Sequence, residues 1–251
     1  MDYSGKFAEY YDRLYEKKDY DKEVDFIVSI INKELKYSGK IKLSDIGCGT
    51  GTHVLNLAKK YNNYNILGAD KSEEMLKIAN KKKEEEKLLS ELNFDKDDIG
   101  FSPDVVISLF NVINHNETAY ELHDFITNIN HCSTELFIFE CWNKTAVLKD
   151  NPREEKRSHI CKDHINIMTK TIPELDLFNS KLKLKMNVFS YWGDFYENFD
   201  HEINITLWDT KIINDILERS NFKIIDICKP FDQSVKYSDD LYKLMYICRR
   251  K

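Results

Sequence analysis

The run Leu43-Ser44-Asp45-Ile46-Gly47-Cys48-Gly49-Thr50-Gly51 constrains this chain more than any other stretch. The sequence holds eight glycines in all, and three of them fall within these five positions, 47–51. A strand-like Ile41-Lys42-Leu43 leads into the run, and a helix-period segment, 53–60, follows with Val54, Leu55, Leu57 and Ala58 on one side. Strand, glycine turn and helix together bring backbone N–H groups close to a ligand, because glycine accepts positive φ and has no Cβ in the way. The spacing is G-x-G-x-G, whereas a dinucleotide site reads G-x-G-x-x-G. Asp45 stands two residues before the first glycine. An anion there repels a pyrophosphate and suits a ligand that carries an ammonium group. The alternative is a glycine turn used for packing alone.

A length of 251 residues suits one α/β domain with insertions, and 42% hydrophobic content is enough for a sizeable core. The formal net charge of −6 argues against a nucleic-acid partner. Lys81 to Lys83 are followed at once by Glu84 to Glu86, the pattern of a solvated helix face. The first six residues carry no apolar run, and no window approaches the ~18 apolar residues of a membrane span. The expectation is a cytoplasmic protein with no membrane association. Six scattered cysteines without a C-x-x-C pair read as free thiols. His159, Cys161 and His164 lie close in sequence but lack a fourth ligand and a zinc-like spacing, so no metal is expected.

Hydrophobic periodicity predicts an N-terminal helical segment over 7–36, a strand at 41–46, a helix at 53–61 and a strand at 65–70 ending in Asp70. A helix over 72–89, capped by Ser72, a buried strand at 104–110, a helix at 120–129 and a buried strand at 135–140 continue the alternation. Such alternation defines an α/β fold with a doubly wound, mostly parallel sheet. From 143 to 207 the pattern changes to strand-like stretches (165–171, 181–191, 201–207) with no helix-period segment between them. That predicts an antiparallel β insertion within a single domain of residues 1–251. A helix at 209–220 and a strand pair at 222–227 and 244–248 close the chain.

The nine-residue glycine run, in this setting, resembles the first motif of the class I methyltransferases that use S-adenosylmethionine. The resemblance implies a seven-stranded Rossmann-like sheet and cofactor contacts from Asp45, Gly47, Cys48, Gly49 and Gly51. Asp70, at the end of the second strand, is placed to accept from ribose hydroxyls; as a residue it serves equally as a helix cap. Met75 in Asp70-Lys71-Ser72-Glu73-Glu74-Met75-Leu76 matches the position that contacts adenine, though a Met at helical spacing is commonly core. Counting back from Asp104 puts Asn93-Phe94 where the family has an acidic residue reading the adenine edge, with Asp95 and Asp97 as substitutes.

Phe7-Ala8-Glu9-Tyr10-Tyr11-Asp12, Lys18-Asp19-Tyr20-Asp21-Lys22-Glu23, Phe110-Asn111-Val112-Ile113-Asn114-His115, Glu140-Cys141-Trp142 and the aromatic stretch 191–208 narrow the likeness. They are similar to segments of methyltransferases acting on nucleotide-linked amino sugars, and are shared with relatives that methylate hydroxyls. The likeness implies that Tyr20 approaches the methionine carboxylate and that Phe110 lies beside the cofactor. It also implies that Tyr11 and His115 face the substrate as the catalytic pair, with Trp142, Tyr191 and Trp192 lining the acceptor pocket. The expected activity is methylation of an amine on a nucleotide-activated sugar or related surface-glycan precursor. The alternatives are O-methylation of a sugar hydroxyl or of a phosphate or phosphoramidate-type capsule precursor, and a non-catalytic cofactor-binding protein. The expected partner is a small-molecule substrate, nucleotide-linked or phosphorylated, and the expected state of the chain is a monomer or homodimer. The Asn/Asp-Pro-Pro-Tyr/Phe motif of enzymes that methylate base amino groups is absent, and Asn111-Val112-Ile113-Asn114 holds its place.

Overall fold

The computed structural model describes residue 3 and residues 5–36, 39–88, 92–96 and 102–251. Ile41–Ile46 (β1), Tyr64–Ala69 (β2), Leu92–Asp95 (β3), Val105–Ser108 (β4) and Leu136–Trp142 (β5) pair in parallel in the order β3-β2-β1-β4-β5. Phe222–Lys229 (β10), Asp232–Lys236 (β11) and Lys243–Arg250 (β12) extend the sheet beyond β5, with β12 antiparallel to both β5 and β10. Among the described residues the sheet thus has eight strands, one more than expected. The extra strand is β11, a short polar edge piece (DQSVK) whose composition carries no strand signal.

Both faces of the sheet are buried, which explains why its central strands read as unbroken apolar runs. Leu43, Val105, Ile107 and Ile138 point to one face, covered by Tyr20–Glu34 (α2) and Thr52–Lys60 (α3). Val106, Phe137, Phe139 and Tyr246 point to the other, covered by Ala119–His131 (α5) and Thr210–Arg219 (α7). Glu73–Glu85 (α4) starts as expected at Ser72, whose hydroxyl accepts from the Met75 N–H at 3.2 Å. The strand order reverses between β1 and β4, so the crevice at their carboxyl ends is the place for a ligand.

The N-terminal helical segment is two helices. Gly5–Leu14 (α1) stops at a turn, and Asp19 caps α2 by accepting from the Lys22 N–H at 3.1 Å. The inserted layer is a four-stranded antiparallel sheet: Glu155–Ile160 (β6), Asn166–Asp176 (β7), Lys181–Trp192 (β8) and Phe195–Thr206 (β9). It is preceded by a helix, Lys144–Asp150 (α6), where none was expected. At seven residues, α6 is too short for its periodicity to stand out. β6 and the first half of β9 were not legible because both lie largely exposed and carry polar residues on both faces. Helix α1 packs on the inner face of this sheet: Phe7 meets Leu182, Ile203 and Ile205, and Tyr10 meets Cys161, Ile167 and Val188.

Candidate active site

The glycine loop leaves β1 at the switch point and enters α3. Gly47, Gly49 and Gly51 have φ of +78°, +56° and +74°, a region in which side chains are strained. Two of them are glycine for packing as well: a Cβ on Gly47 would lie 2.3 Å from Val112 Cγ2, and one on Gly51 2.7 Å from Phe94 Cζ. Gly49 is different. A Cβ there would meet nothing nearer than Tyr11 Cε1 at 3.9 Å, because this residue faces a cavity.

That cavity measures about 710 Å³ and is walled by Gly47, Gly49, Asp70, Ser72, Met75, Phe110 and His115, with Tyr3 and Tyr11 from the N-terminal segment. A small annex of about 20 Å³ lies behind Phe110, bounded by Tyr11, Lys18, Tyr20, Asp45, Cys48, Thr50 and His53. Phe110 divides the two spaces. It and Asn111 sit at φ of +60° and +67°, the kind of backbone strain that persists where surrounding structure fixes it. The fixing groups are visible: the buried Glu140 carboxylate accepts the Phe110 N–H, and Lys18 and Lys243 stand 5.0 and 4.9 Å from its ring centre.

Asp70 accepts the Gly49 N–H with Oδ2 and the Ser72 N–H with Oδ1, each at 2.8 Å. Asp70 also lines the cavity. Asp45 is 1% exposed, and its Oδ1 has no hydrogen-bond partner among the described residues. Burial above all, and then the Asp70 charge, pushes its carboxyl up to about 7, against a lowering pull from Lys18. A buried carboxylate oxygen without a donor is costly, and an ammonium group in the annex is the partner that relieves it. The open side of Gly49, the Asp70 carboxylate on the cavity wall and the orphaned Asp45 oxygen together fit an amino-acid-bearing nucleoside.

At the far end of the cavity, His115 Nδ1 lies 3.2 Å from the Asn204 carbonyl oxygen and Nε2 lies 3.3 Å from the Tyr3 hydroxyl. A carbonyl only accepts, so Nδ1 carries the proton and Nε2 the lone pair. Burial holds the imidazole below its ordinary range, hence neutral. Burial raises the Tyr11 phenol well above its usual value, so Tyr11 is a donor and not a base.

Of the residues expected in the site, Tyr11, Tyr20, Asp45, Gly47, Cys48, Gly49, Asp70, Met75, Phe110 and His115 come together around the two spaces. Gly51 lies behind the loop against Phe94. Phe94 itself fills the core under Gly51 and Gly68 and does not reach the cavity. Asn93 pairs with Leu67 in mid-strand with an exposed side chain, because β3 runs two residues further than the count back from Asp104 implied. Asp95 ends β3, where its carbonyl accepts the Asp70 N–H at 3.3 Å; Asp97 lies outside the described residues. Trp142 packs against Tyr242, away from the cavity. Tyr191 is on the outer face of the inserted sheet, 40% exposed, since its neighbour Ser190 takes the inner face and meets the Tyr10 hydroxyl at 2.8 Å.

Sequence reasoning missed several contributors. Lys18 and His53 both contact the Glu23 carboxylate at the annex wall. Lys82, read as part of a solvated face, donates to Asp12 and to the Thr52 hydroxyl, both at 2.9 Å, and Thr50 donates to Asp12. This knot ties α1 and α4 to the glycine loop. Tyr3 closes the cavity over Ser72 and His115.

Comparison with known proteins agrees with this geometry. A family model described as a methyltransferase domain matches residues 37–172, more than half of the chain. The chain belongs to that family, and S-adenosylmethionine is the cofactor this membership implies. Over 83 residues it is 32% identical to the dTDP-3-amino-3,6-dideoxy-alpha-D-glucopyranose N,N-dimethyltransferase of Streptomyces fradiae, covering 32% of this chain and 31% of that protein. The chain thus matches about a third of the length of its curated relatives. The fold is that of an S-adenosylmethionine-dependent methyltransferase from Clostridium acetobutylicum (TM-score 0.81, 20% identity, 98% of each chain). It is also that of CalS10, an amino pentose methyltransferase from Micromonospora echinaspora (TM-score 0.75, 13% identity, 100% and 99% of the chains). Among the described residues no helix is long and apolar enough to cross a membrane.

Replacing Asp70 tests the ribose side of the site. Asp70→Ala removes a charge-assisted acceptor worth about 1.5–3 kcal/mol. S-adenosylmethionine affinity, read by calorimetric titration, is expected to fall roughly 10- to 150-fold. Unchanged affinity would remove Asp70 from the site.

Proposed function

We propose that the protein methylates an amine on a polar small molecule, a nucleotide-activated amino sugar or a related surface-glycan precursor. Bound S-adenosylmethionine supplies a sulfonium methyl group open to in-line attack. The task left to this chain is to hold the acceptor lone pair on that axis. Tyr20, Asp45, Gly49, Asp70 and Met75 hold the cofactor, and Phe110 separates its amino-acid end from the wider cavity.

The observation that carries the reading is the state of His115. Its Nδ1–H is committed to the Asn204 carbonyl, so the neutral ring presents only an acceptor, Nε2, toward the Tyr3 hydroxyl and the cavity. An amine N–H donating to that nitrogen in place of Tyr3 is turned so that its own lone pair faces away from His115. Glu121 and Asp124 line the same cavity from α5. Two carboxylates attract the ammonium form of an amine and repel a phosphate acceptor, which favours N-methylation over transfer to a phosphate oxygen. The names of the Streptomyces and Micromonospora relatives point the same way.

O-methylation of a sugar hydroxyl is the second reading, because a neutral imidazole with an unprotonated Nε2 is also a suitable general base. His115→Asn separates them. For an amine acceptor, kcat is expected to stay within about tenfold of wild type, with the larger change in KM and an acid limb set by the amine's own ionisation. For a hydroxyl acceptor, the loss in kcat is about 10²–10⁴-fold. The function itself is tested by incubating the protein with labelled cofactor and nucleotide-linked amino sugars or a cell extract, then identifying the product by mass spectrometry. Label recovered on oxygen, or in no small molecule at all, overturns the proposal.

A further inference from the structure

Away from the cavity, the turn after α1 meets the β6–β7 hairpin, and three groups of metal-binding chemistry converge there. Glu16, His159 and Cys161 each offer one ligand atom, and these atoms lie within 4.8 Å of one another. Proximity in sequence grouped His159 and Cys161 with His164; in the structure the third group is instead Glu16, from a turn more than 140 residues earlier, which spacing could not anticipate. We propose that Glu16, His159 and Cys161 bind one zinc ion, with water in its fourth position, and that the ion clasps the N-terminal helix to the inserted sheet.

The donor set is the first argument. Thiolate, imidazole and carboxylate together suit zinc, whereas magnesium and calcium prefer oxygen alone. The tautomer of His159 is the second. His159 Nε2 lies 3.0 Å from the Arg13 carbonyl oxygen. Nε2 therefore carries the proton, and Nδ1 holds the lone pair a metal needs. Donation of the other ring N–H to a backbone carbonyl is the usual support for a metal-binding histidine. Glu16 is half-engaged: Oε2 accepts the Lys162 N–H at 3.1 Å, and no bond to Oε1 is found among the described residues.

Cys161 is 3% exposed and fixed by packing against Tyr10, Ile167 and Val188. Burial, helped by Glu16 and Asp163, pushes its thiol up to about 11, so without a cation it stays protonated. Zinc binding forms the Zn–S bond as the S–H proton leaves to solvent, which makes affinity rise with pH. In a tetrahedral zinc site ligand atoms stand roughly 3.5 Å apart. Closing from 4.8 Å takes modest side-chain rotation of the partly exposed Glu16 and His159. The Arg13–Asp163 ion pair, at 2.7 Å, already brings the same two elements together. The clasp would sit at the end of the helix that carries Tyr11 and Asp12 to the cofactor cavity, and it does not depend on which acceptor is methylated.

The test uses untagged, reduced, metal-stripped protein titrated with zinc, and with cobalt(II) as a spectroscopic stand-in. Wild type is expected to bind one equivalent with micromolar or tighter affinity, to give a cobalt–thiolate charge-transfer band, and to melt at a higher temperature with zinc. Cys161→Ser should lose the band. Glu16→Gln and His159→Ala, which leave the packed thiol in place, should each weaken zinc binding by at least about 10–100-fold, the loss expected even for supporting groups. They should also lose the thermal shift. Sub-stoichiometric binding to wild type, absence of the thiolate band, or wild-type zinc affinity in both Glu16→Gln and His159→Ala overturns the proposal.

Discussion

Asp45→Asn is expected to lower S-adenosylmethionine affinity roughly 10- to 150-fold at pH 8, because it removes a charge-assisted bond to an ammonium group worth about 1.5–3 kcal/mol. The wild-type affinity itself should depend on pH. The Asp45 carboxyl of the free protein ionises at about 7, so below that value the ligand must displace a proton. Affinity should then fall about tenfold per pH unit below 7, and the variant should be flat over the same range apart from titration of the ligand. Stability of the cofactor-free protein moves in the opposite sense. Between the ordinary carboxyl value of 3.8 and about 7, the folded chain holds a proton here that the unfolded chain has released. Stability therefore falls as pH rises through that window, and the cost is complete above it. The variant lacks this component, so the difference in unfolding free energy, variant minus wild type, should grow by about 1.4 kcal/mol per pH unit between pH 5 and 7. Denaturant titrations at several pH values measure it. A constant difference together with unchanged ligand affinity would show that Asp45 faces no ligand.

How much of this was legible in the sequence depends on how local each feature is. β1, β2, β4 and β5 were placed within a residue or two, because strands buried on both faces are apolar runs and the glycine turn fixes where β1 ends. Asp45, Asp70 and His115 line the two spaces as expected, because each lies near the carboxyl end of a central strand: Asp45 next to last in β1, Asp70 just after β2, and His115 in the turn that follows β4. The failures are non-local or neutral in composition. Lys82 looked like any lysine on an exposed helix; only its distance to Asp12, seventy residues away, makes it part of the knot over the glycine loop. The break between α1 and α2 leaves hydrophobic periodicity nearly intact, yet it sends Lys18 and Tyr20 to the annex. Tyr191 went astray by a single residue of strand parity: in β8 it is Ser190, not Tyr191, that turns toward α1. Period-two elements punish such an error completely, since neighbouring side chains lie on opposite faces. Asn93 failed through register, because a count across 93–104 carries no information on how far β3 runs.

Substitutions at two glycines of the same loop should fail in different ways. Gly47→Ala is expected to damage the fold: its Cβ would stand 2.3 and 2.8 Å from the two γ-carbons of Val112, on a backbone already at φ +78°. Val112 opens the short turn Val112–His115, which Asn114 pins to β9 by donating to the Thr206 carbonyl and to β5 by accepting the Trp142 N–H. With little room to move, overpacking and backbone strain together should destabilise by about 2–4 kcal/mol. Gly49→Val should instead fold. The added carbons enter open space, the nearest atom being Tyr11 Cε1 at 3.9 Å from the Cβ, and the cost is that of a branched residue at φ +56°, about 1–3 kcal/mol. The space it enters is the one proposed for the cofactor. Binding should weaken about 100-fold or more, equivalent to about 2.7 kcal/mol, while the circular dichroism spectrum stays close to wild type. Calorimetric titration of folded Gly49→Val decides the point: normal affinity would mean that the loop turns the chain but does not cradle the ligand, and the cavity beside Asp70 would then need another occupant.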